Sequence, residues 1–222
     1  MPVSAFDIIG PVMIGPSSSH TAGAVRLGLM ARTILNQEPM EAIIHLHGSF
    51  AETYRGHGTN LALVAGLLGM GTDDERIPRA LDLARERNMQ VEFVTADLGD
   101  VHPNSAMLEL KGREGLSVRV MGSSVGGGRI LVTRIDDFPV ELGGDYHTLI
   151  VVHQDQPGVV AQMTTLLAAA QVNIAQMRLS RQKKGAEALT ILETDQPVEG
   201  AALDLIGRLR AVSRALAVKP MA

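Results

Sequence analysis

The chain lacks cysteine and tryptophan entirely, and aromatic residues make up only 3% of its 222 residues. Without cysteine it forms no disulfide, offers no thiol nucleophile and cannot ligate an iron–sulfur cluster through its own thiolates. It also lacks any uninterrupted apolar run of about 18 residues, so no transmembrane helix is expected. The N-terminus has no basic segment of the kind that opens a signal peptide. These absences together predict a cytoplasmic protein.

What is present is an ordinary aliphatic composition. Hydrophobic residues make up 45% of the chain, charged residues 20%, and the net charge is −4. This balance supports a sizeable core and argues against a general nucleic-acid binder. The segment 136–147 contains Pro139, Gly143 and Gly144, which interrupt any regular pattern. We therefore predict two domains, 1–143 and 146–222.

The second part has a simple pattern. An apolar β-branched run predicts a strand over 147–154, and Pro157 then suits the first turn of a helix. Two strands (172–182 and 186–194), a helix (199–212) and a final edge strand (214–220) follow. The resulting order βαββαβ is typical of a ferredoxin-like fold.

The first part predicts a mixed α/β domain, so that the whole chain falls in the α/β (α+β) class. Apolar spacing indicates helices and strands in irregular alternation. We expect helices over 20–35, 58–69 and 77–88, and strands over 41–50, 89–97, 105–112 and within 116–136.

The segment "GPSSSHTAGA" places several hydroxyls at the start of a predicted helix. Ser18 or Ser19 would serve as the N-cap. One serine is enough for a cap, and free N–H groups with the helix dipole attract anions, so a carboxylate or phosphate site is the stronger interpretation. The residues of this interpretation are Ser17, Ser18, Ser19, His20 and Thr21.

Three shorter segments are further candidates, each with a plain alternative. In "YRGHGTN", Gly56 and Gly58 flank His57, which is a candidate catalytic histidine or an incidental one. His102-Pro103-Asn104 reads first as a turn. The run "SSVGGGRI" allows close backbone approach to a ligand or to another chain, or forms a β-bulge or tight turn. It matches neither a Walker loop nor a dinucleotide fingerprint.

Two sets of histidines carry weaker hypotheses. His45 and His47 would share a strand face and could bind a metal, although a half-buried face is the commoner explanation. We predict no metal site from this chain. His153 precedes the "QDQPG" loop and is a possible effector contact.

Taken together, the motifs resemble a known family. "FDIIGPVMIGPSSSHTAGAVRLG", "GSFAETYRGHGTN", "HPNS" and "SVGGG" resemble, in order, the beta chain of bacterial iron–sulfur-dependent L-serine dehydratase (L-serine ammonia-lyase) over residues 1–145. Residues 146–222 resemble an ACT domain, with "HQDQPGVV" as its ligand loop. The two-chain form of the enzyme is implied.

The resemblance implies a function. The enzyme deaminates L-serine to pyruvate and ammonia, in serine catabolism and gluconeogenesis, with a [4Fe–4S] cluster as Lewis acid. The cluster would be ligated by the partner alpha chain. The first domain would resemble the allosteric substrate-binding domain of D-3-phosphoglycerate dehydrogenase. His57 and His20 would be catalytic, without a decision on which is the base. Substrate contacts are implied for Ser17, Ser18, Ser19, Thr21, Gly58, Thr59, His102 and Asn104.

The ACT resemblance implies an effector site at Asp155, Pro157, Gly158 and Asn173, taking L-serine or potassium, or else simple self-association. A competing hypothesis is a non-catalytic sensor protein that binds an amino or hydroxy acid. A weaker one is the regulatory part of a dehydrogenase.

Overall fold

The computed structural model describes residues 12–221. Residues 6–11, which open the first motif, lie outside that range. The chain forms two compact units. The first contains the residues up to Asp136 together with Glu141–Gly143, and the second contains Asp137–Val140 and the residues from Gly144 onward.

The strands of the first unit belong to a six-stranded sheet in the order β2-β1-β3-β4-β5-β6. Only β1 and β2 are described as parallel, while β1–β3, β3–β4 and β4–β5 are antiparallel. The strands are β1 (Pro39–Leu46), β2 (Gln90–Thr95), β3 (Ser105–Gly112), β4 (Ser117–Gly126), β5 (Arg129–Ile135) and β6 (Phe138–Leu142).

The helices of this unit follow a π-helical turn, Ser18–Gly23, that runs directly into α1 (Ala24–Leu35). The others are α2 (Gly48–Thr53), α3 (Thr59–Leu67) and α4 (Ala80–Glu86), the last preceded by a 3₁₀ turn, Ile77–Arg79. Helices α1 and α3 pack at backbone contact, because a Cβ on Gly28 would lie 2.2 Å from the Leu63 oxygen and one on Gly66 would lie 2.1 Å from the Val25 oxygen. The apolar face of α1 is fully buried, including Leu27, Met30 and Leu35.

The strand predicted over 41–50 was wrong in its second half. β1 ends at Leu46, and residues 48–53 form α2. The cause is Gly48, whose backbone is left-handed (φ +51°) and which lies so close to Pro103 that a Cβ would meet the Pro103 oxygen at 2.7 Å. The chain turns here instead of extending.

The second unit is a four-stranded antiparallel sheet in the order β10-β7-β9-β8, with the element order βαββαβ. Its elements are β7 (His147–Gln154), α5 (Val159–Ala169), β8 (Ile174–Arg181), β9 (Glu187–Thr194), α6 (Ala201–Gly207) and β10 (Val212–Val218). Leu149, Val151 and Leu192 of the sheet pack with Met163 and Leu167 of α5 and Ile206 of α6 in its core. The predicted ferredoxin-like fold is confirmed, although α6 is shorter than the predicted 199–212.

Among residues 12–221, no helix combines the length and the apolar character needed to cross a membrane.

Candidate functional site

The π-helical turn brings His20 to the start of α1. The N-cap of this turn is Ser17. Its Oγ accepts the His20 backbone N–H at 3.1 Å, and its carbonyl accepts the Thr21 N–H at 2.8 Å. The expectation that Ser18 or Ser19 would cap this helix was therefore wrong. Ser18 and Ser19 lie inside the turn, half-buried, and their side chains have no hydrogen-bond partner among the described residues.

Both ring nitrogens of His20 face serine hydroxyls. Nε2 lies 3.1 Å from Ser49 Oγ on α2, and Nδ1 lies 3.4 Å from Ser17 Oγ. The ring also meets Phe50 edge-on, with centroids 5.3 Å apart, and His57 at 4.9 Å and an interplanar angle of 41°. His20 is thus held by residues from three different segments.

These surroundings favour a neutral imidazole. Burial lowers the pKa of His20 below its ordinary value of 6.5, and the neighbouring His57 lowers it further. A backbone interaction at Ser49 acts in the opposite direction. At neutral pH His20 is therefore a hydrogen-bonding ring rather than a cation.

His57 occupies the loop between α2 and α3 and is exposed. Its backbone N–H donates to the Thr53 carbonyl at 3.0 Å, and Gly58, in the left-handed region (φ +71°), turns the chain into α3. Gly56 does not adopt a positive φ, so only one of the two flanking glycines is conformationally required. The His57 ring nitrogens have no hydrogen-bond partner within residues 12–221.

The loop 102–104 lies against the same elements. The Pro103 carbonyl accepts the Phe50 N–H at 3.4 Å, and the Asn104 carbonyl accepts the Ser124 N–H at 2.9 Å. The predicted turn is present, since the Asn104 N–H donates to Nδ1 of His102 at 3.1 Å. His102 itself is exposed.

The glycine run forms the turn between β4 and β5. Gly126, Gly127 and Gly128 all have positive φ, and Gly126 pairs with Arg129 across the hairpin. The tight-turn interpretation accounts for this run. Next to it, Ser124 touches the π-helical turn, because a Cβ on Gly23 would lie 2.0 Å from Ser124 Oγ.

Four buried polar atoms around this region have no hydrogen-bond partner in the described part of the chain. They are Thr21 Oγ1, Thr59 Oγ1, Asn60 Oδ1 and Ser124 Oγ. A buried group left unpaired costs about 1–3 kcal/mol, so such a concentration is typical of a functional region rather than of an ordinary core. The Thr21 and Thr59 side chains are closed off from solvent in the isolated chain.

His45 and His47 do not form a common site. His45 Nε2 contacts Glu109 Oε1 of β3 at 3.0 Å, whereas His47 Nδ1 accepts the Leu98 N–H at 3.2 Å and lies 3.7 Å from Asp97. In the part of the chain that is described, no group of three or more His, Cys, Asp or Glu side chains could hold a metal ion. With no cysteine in the sequence, the donor set of this chain does not fit an iron–sulfur cluster.

In the second unit, the loop after β7 is stabilised by Asp155. Its Oδ2 accepts the Gly185 N–H and a hydrogen bond from Arg181 Nη1, both at 3.0 Å. The Gly185 backbone bond and then Arg181 lower the pKa of Asp155 below its ordinary 3.8. Exposed Pro157 follows, and Gly158 (φ +91°) begins α5.

Asn173 lies at the other end of the sheet. It precedes β8, and Ile174 pairs with Thr194, which pairs with His147 at the start of β7. Gln154, next to Asp155, pairs instead with Glu187 at the far end of β9. Asn173 donates from Nδ2 to Asp195 at 2.7 Å. Within one copy, the structure does not bring Asn173 together with Asp155.

A cavity of about 550 Å³ opens beside the end of β7. Gln154, Gln156, Glu187 and Arg210 line it, together with His153. His153 is only 2% exposed, and its ring nitrogens face the Gln154 carbonyl and Thr190 Oγ1. None of the four predicted effector residues lines this cavity.

Sequence reasoning missed Ser49 and Phe50, which contact His20 directly. The misplaced strand over 41–50 concealed them. In the sequence, Gly48 followed by the small polar residue Ser49 was the available indication that a helix starts here.

Comparison with known proteins decides the family. The family model described as serine dehydratase beta chain matches residues 4–134, and that of the ACT domain matches residues 147–217. The chain belongs to the serine dehydratase beta chain family. The resemblance stated from the motifs is thereby confirmed.

Three relatives illustrate the match. The chain is 43% identical to the probable L-serine dehydratase beta chain of Bacillus subtilis, covering 93% of each chain. It is 38% identical to the L-serine dehydratase beta chain of Peptoniphilus asaccharolyticus, covering 88% of each. It is 28% identical to the D-3-phosphoglycerate dehydrogenase of Synechocystis, over 78% of this chain and 31% of that enzyme. The expected likeness of this family to that dehydrogenase is also confirmed.

Proposed function

We propose that the chain is the beta subunit of an L-serine dehydratase, which converts L-serine to pyruvate and ammonia together with an alpha chain. The observation that carries this proposal is the grouping in one unit of the family motifs. The contacts His20–Ser49, His20–His57, Phe50–Pro103 and Ser124–Asn104 join segments distant in sequence. Relatives that match nearly the full chain are named for this enzyme.

His57 is the proposed proton-transfer residue. Abstraction of an α-proton requires a placed base within reach of the substrate. His57 is exposed and its ring nitrogens form no hydrogen bond to a described residue, whereas both nitrogens of His20 already face serine hydroxyls. His20 is therefore assigned the supporting role, as a neutral ring beside His57.

The substrate carboxylate is proposed to bind near the π-helical turn and the start of α3. The hydroxyls of Ser18 and Ser19 have no partner among the described residues, and Gly58 begins α3 without a side-chain cap, which leaves N–H groups for an anion. Ser17 acts chiefly as a cap. Direct contacts of Thr21, Thr59, His102 and Asn104 with substrate stay predictions.

The [4Fe–4S] cluster is proposed to be held by thiolates of the alpha chain. A cluster of this kind supplies a Lewis acid for loss of the substrate hydroxyl. This chain has no cysteine to ligate it. What this chain contributes is the base, the anion pocket and their orientation.

Reconstitution tests the assignment. The purified chain alone should form no pyruvate from L-serine, and the anaerobically assembled pair of alpha and beta chains should form it. Pyruvate formation by the isolated chain would contradict the division of labour. A correctly assembled pair with an intact cluster but without activity would contradict the dehydratase assignment.

The second unit is proposed to bind an effector or to associate with its own copy. The ACT match supports both roles. A sensor protein without catalysis is the second candidate function of the whole chain. It is favoured by the finding that 78% of this chain matches only 31% of a D-3-phosphoglycerate dehydrogenase, so a related sequence is one part of an enzyme with a different name. Turnover by the reconstituted pair separates the two functions.

A further inference from the structure

Ser49 lies within one of the family motifs, but the resemblance implies no role for it. Among the described residues, it nevertheless makes the shortest polar contact of the His20 ring. Its Oγ lies 3.1 Å from His20 Nε2, across 29 positions of sequence. A side-chain contact between two separate segments orients a ring in a way that a local cap does not.

The position of Ser49 is itself fixed. Thr53 Oγ1 donates to the Ser49 carbonyl at 2.8 Å, and the neighbouring Phe50 N–H donates to the Pro103 carbonyl at 3.4 Å. Gly48 leaves no room for a Cβ against Pro103. The loop 102–104 therefore anchors the start of α2, and α2 carries the Ser49 hydroxyl to His20.

The contacts around His20 favour one tautomer. Ser17 Oγ already accepts the His20 backbone N–H, and its own hydrogen can be donated to Nδ1, 3.4 Å away. If Nδ1 accepts from Ser17, the proton of the neutral ring must be on Nε2. Nε2–H then donates to Ser49 Oγ.

We propose that Ser49 is a positioning residue of the site, whose hydroxyl accepts the hydrogen bond from Nε2–H of neutral His20 and thereby fixes the ring against which His57 packs. The 4.9 Å separation of the two ring centroids makes His57 sensitive to any rotation of His20. The inference rests on the proposed function for its catalytic consequence, but its structural part stands on the contacts alone.

The structural part is tested by the ring nitrogen resonances of His20 in the full-length chain labelled with ¹⁵N, with His20→Gln for assignment. The wild type should show the Nε2–H form. Ser49→Ala should move the signal towards a mixture of tautomers, and Ser49→Thr should restore it. Thr33→Val is the matched control, because it removes a helix hydroxyl of the same unit that bonds the Leu29 carbonyl and, among the described residues, contacts neither His20 nor Ser49.

The catalytic part is tested with the reconstituted pair of chains. Ser49→Ala should lower kcat for L-serine about tenfold, a fraction of what a placed acid–base group contributes. KM should change by less than about twofold, since the ring supports proton transfer rather than carboxylate binding. Ser49→Thr should recover most of kcat, and Thr33→Val should retain wild-type kcat.

Each outcome has a defined meaning. An Nδ1–H form in the wild type, or His20 signals unchanged by Ser49→Ala, would overturn the proposal. Altered signals with an unchanged kcat in an active pair would also overturn the positioning role, while leaving the dehydratase assignment intact. Altered signals in a pair that never turns over L-serine would count against the proposed function instead.

Discussion

At the scale of single residues, the two histidines of the first unit differ in what surrounds them. His20 is half-buried between two serines and a phenylalanine, whereas His57 is exposed and, among the described residues, makes a backbone bond and a ring contact. The sequence pattern placed both near a site but could not rank them, because ranking depends on which ring nitrogens are already occupied. Only contacts between distant segments show that.

The first prediction follows from this difference. His57→Asn should lower kcat of the reconstituted pair about 10²–10⁴-fold, the range typical of removing a general acid or base. The measurement is pyruvate formation at saturating L-serine. His45→Gln is the control, since His45 contacts Glu109 on the sheet and no residue of the proposed site. Equal losses in both variants would argue for a structural effect only.

A second residue-scale prediction concerns Asp155. Its pKa is lowered in the folded chain, so its ionised form stabilises the fold above the unfolded pKa, and this contribution is lost as pH falls through the folded pKa. Asp155→Asn should therefore lower Tm at neutral pH, and the difference from wild type should shrink as the pH falls below about 4. Thermal unfolding across this pH range measures it.

Asp145→Asn provides the comparison for Asp155, because Asp145 is an exposed aspartate of the second unit and has no described partner. It should leave Tm nearly unchanged at every pH. A constant Tm difference for Asp155→Asn down to acid pH would show that the carboxylate charge is not what holds the loop.

At the scale of elements, α1 and α3 of the first unit pack in backbone contact. Gly28 and Gly66 allow the two backbones to touch, which no larger residue would permit. Gly66→Ala should therefore lower the free energy of unfolding by about 1–3 kcal/mol, the usual cost of overpacking. Urea unfolding of the full chain measures the change.

The matched glycine for this experiment is Gly207. It ends α6, and a Cβ there would meet nothing closer than Ala215 Cβ at 3.9 Å. Gly207→Ala should be neutral or slightly stabilising, because alanine favours a helix more than glycine does. If Gly66→Ala behaved in the same way, α1 and α3 would not be in backbone contact.

Elements with clear periodicity were predictable from the sequence. The strands over 105–112 and 147–154 have the predicted limits, because alternation and β-branched runs are local properties. The end of β1 at Leu46 was not predictable, since it depends on the approach of Pro103 to Gly48. The π-helical turn was likewise missed, because an extra residue per turn leaves no mark in apolar spacing.

At the scale of the whole molecule, the placement of the predicted effector residues has a consequence for assembly. Asp155 follows the end of β7, and Asn173 precedes β8 at the opposite end of the sheet, where β7 starts. About eight residues of extended chain at roughly 3.3 Å each separate the two ends. If both residues contact one effector, they must come from two copies of the chain.

Mixing of variants tests this directly. Asp155→Asn and Asn173→Ala should each abolish binding of L-serine or potassium to the full-length chain in calorimetry. Each variant alone has every shared site damaged. In a mixed dimer, one site keeps both native residues and the other loses both, so an equimolar mixture after subunit exchange should recover binding at about a quarter of the wild-type sites, as statistical mixing of two-copy sites requires.

Wild-type binding should also weaken on dilution, as linked self-association demands. Recovery absent from a mixture shown to exchange subunits would mean that these residues do not form a shared site, and would shift attention to the cavity beside Arg210 within a single copy.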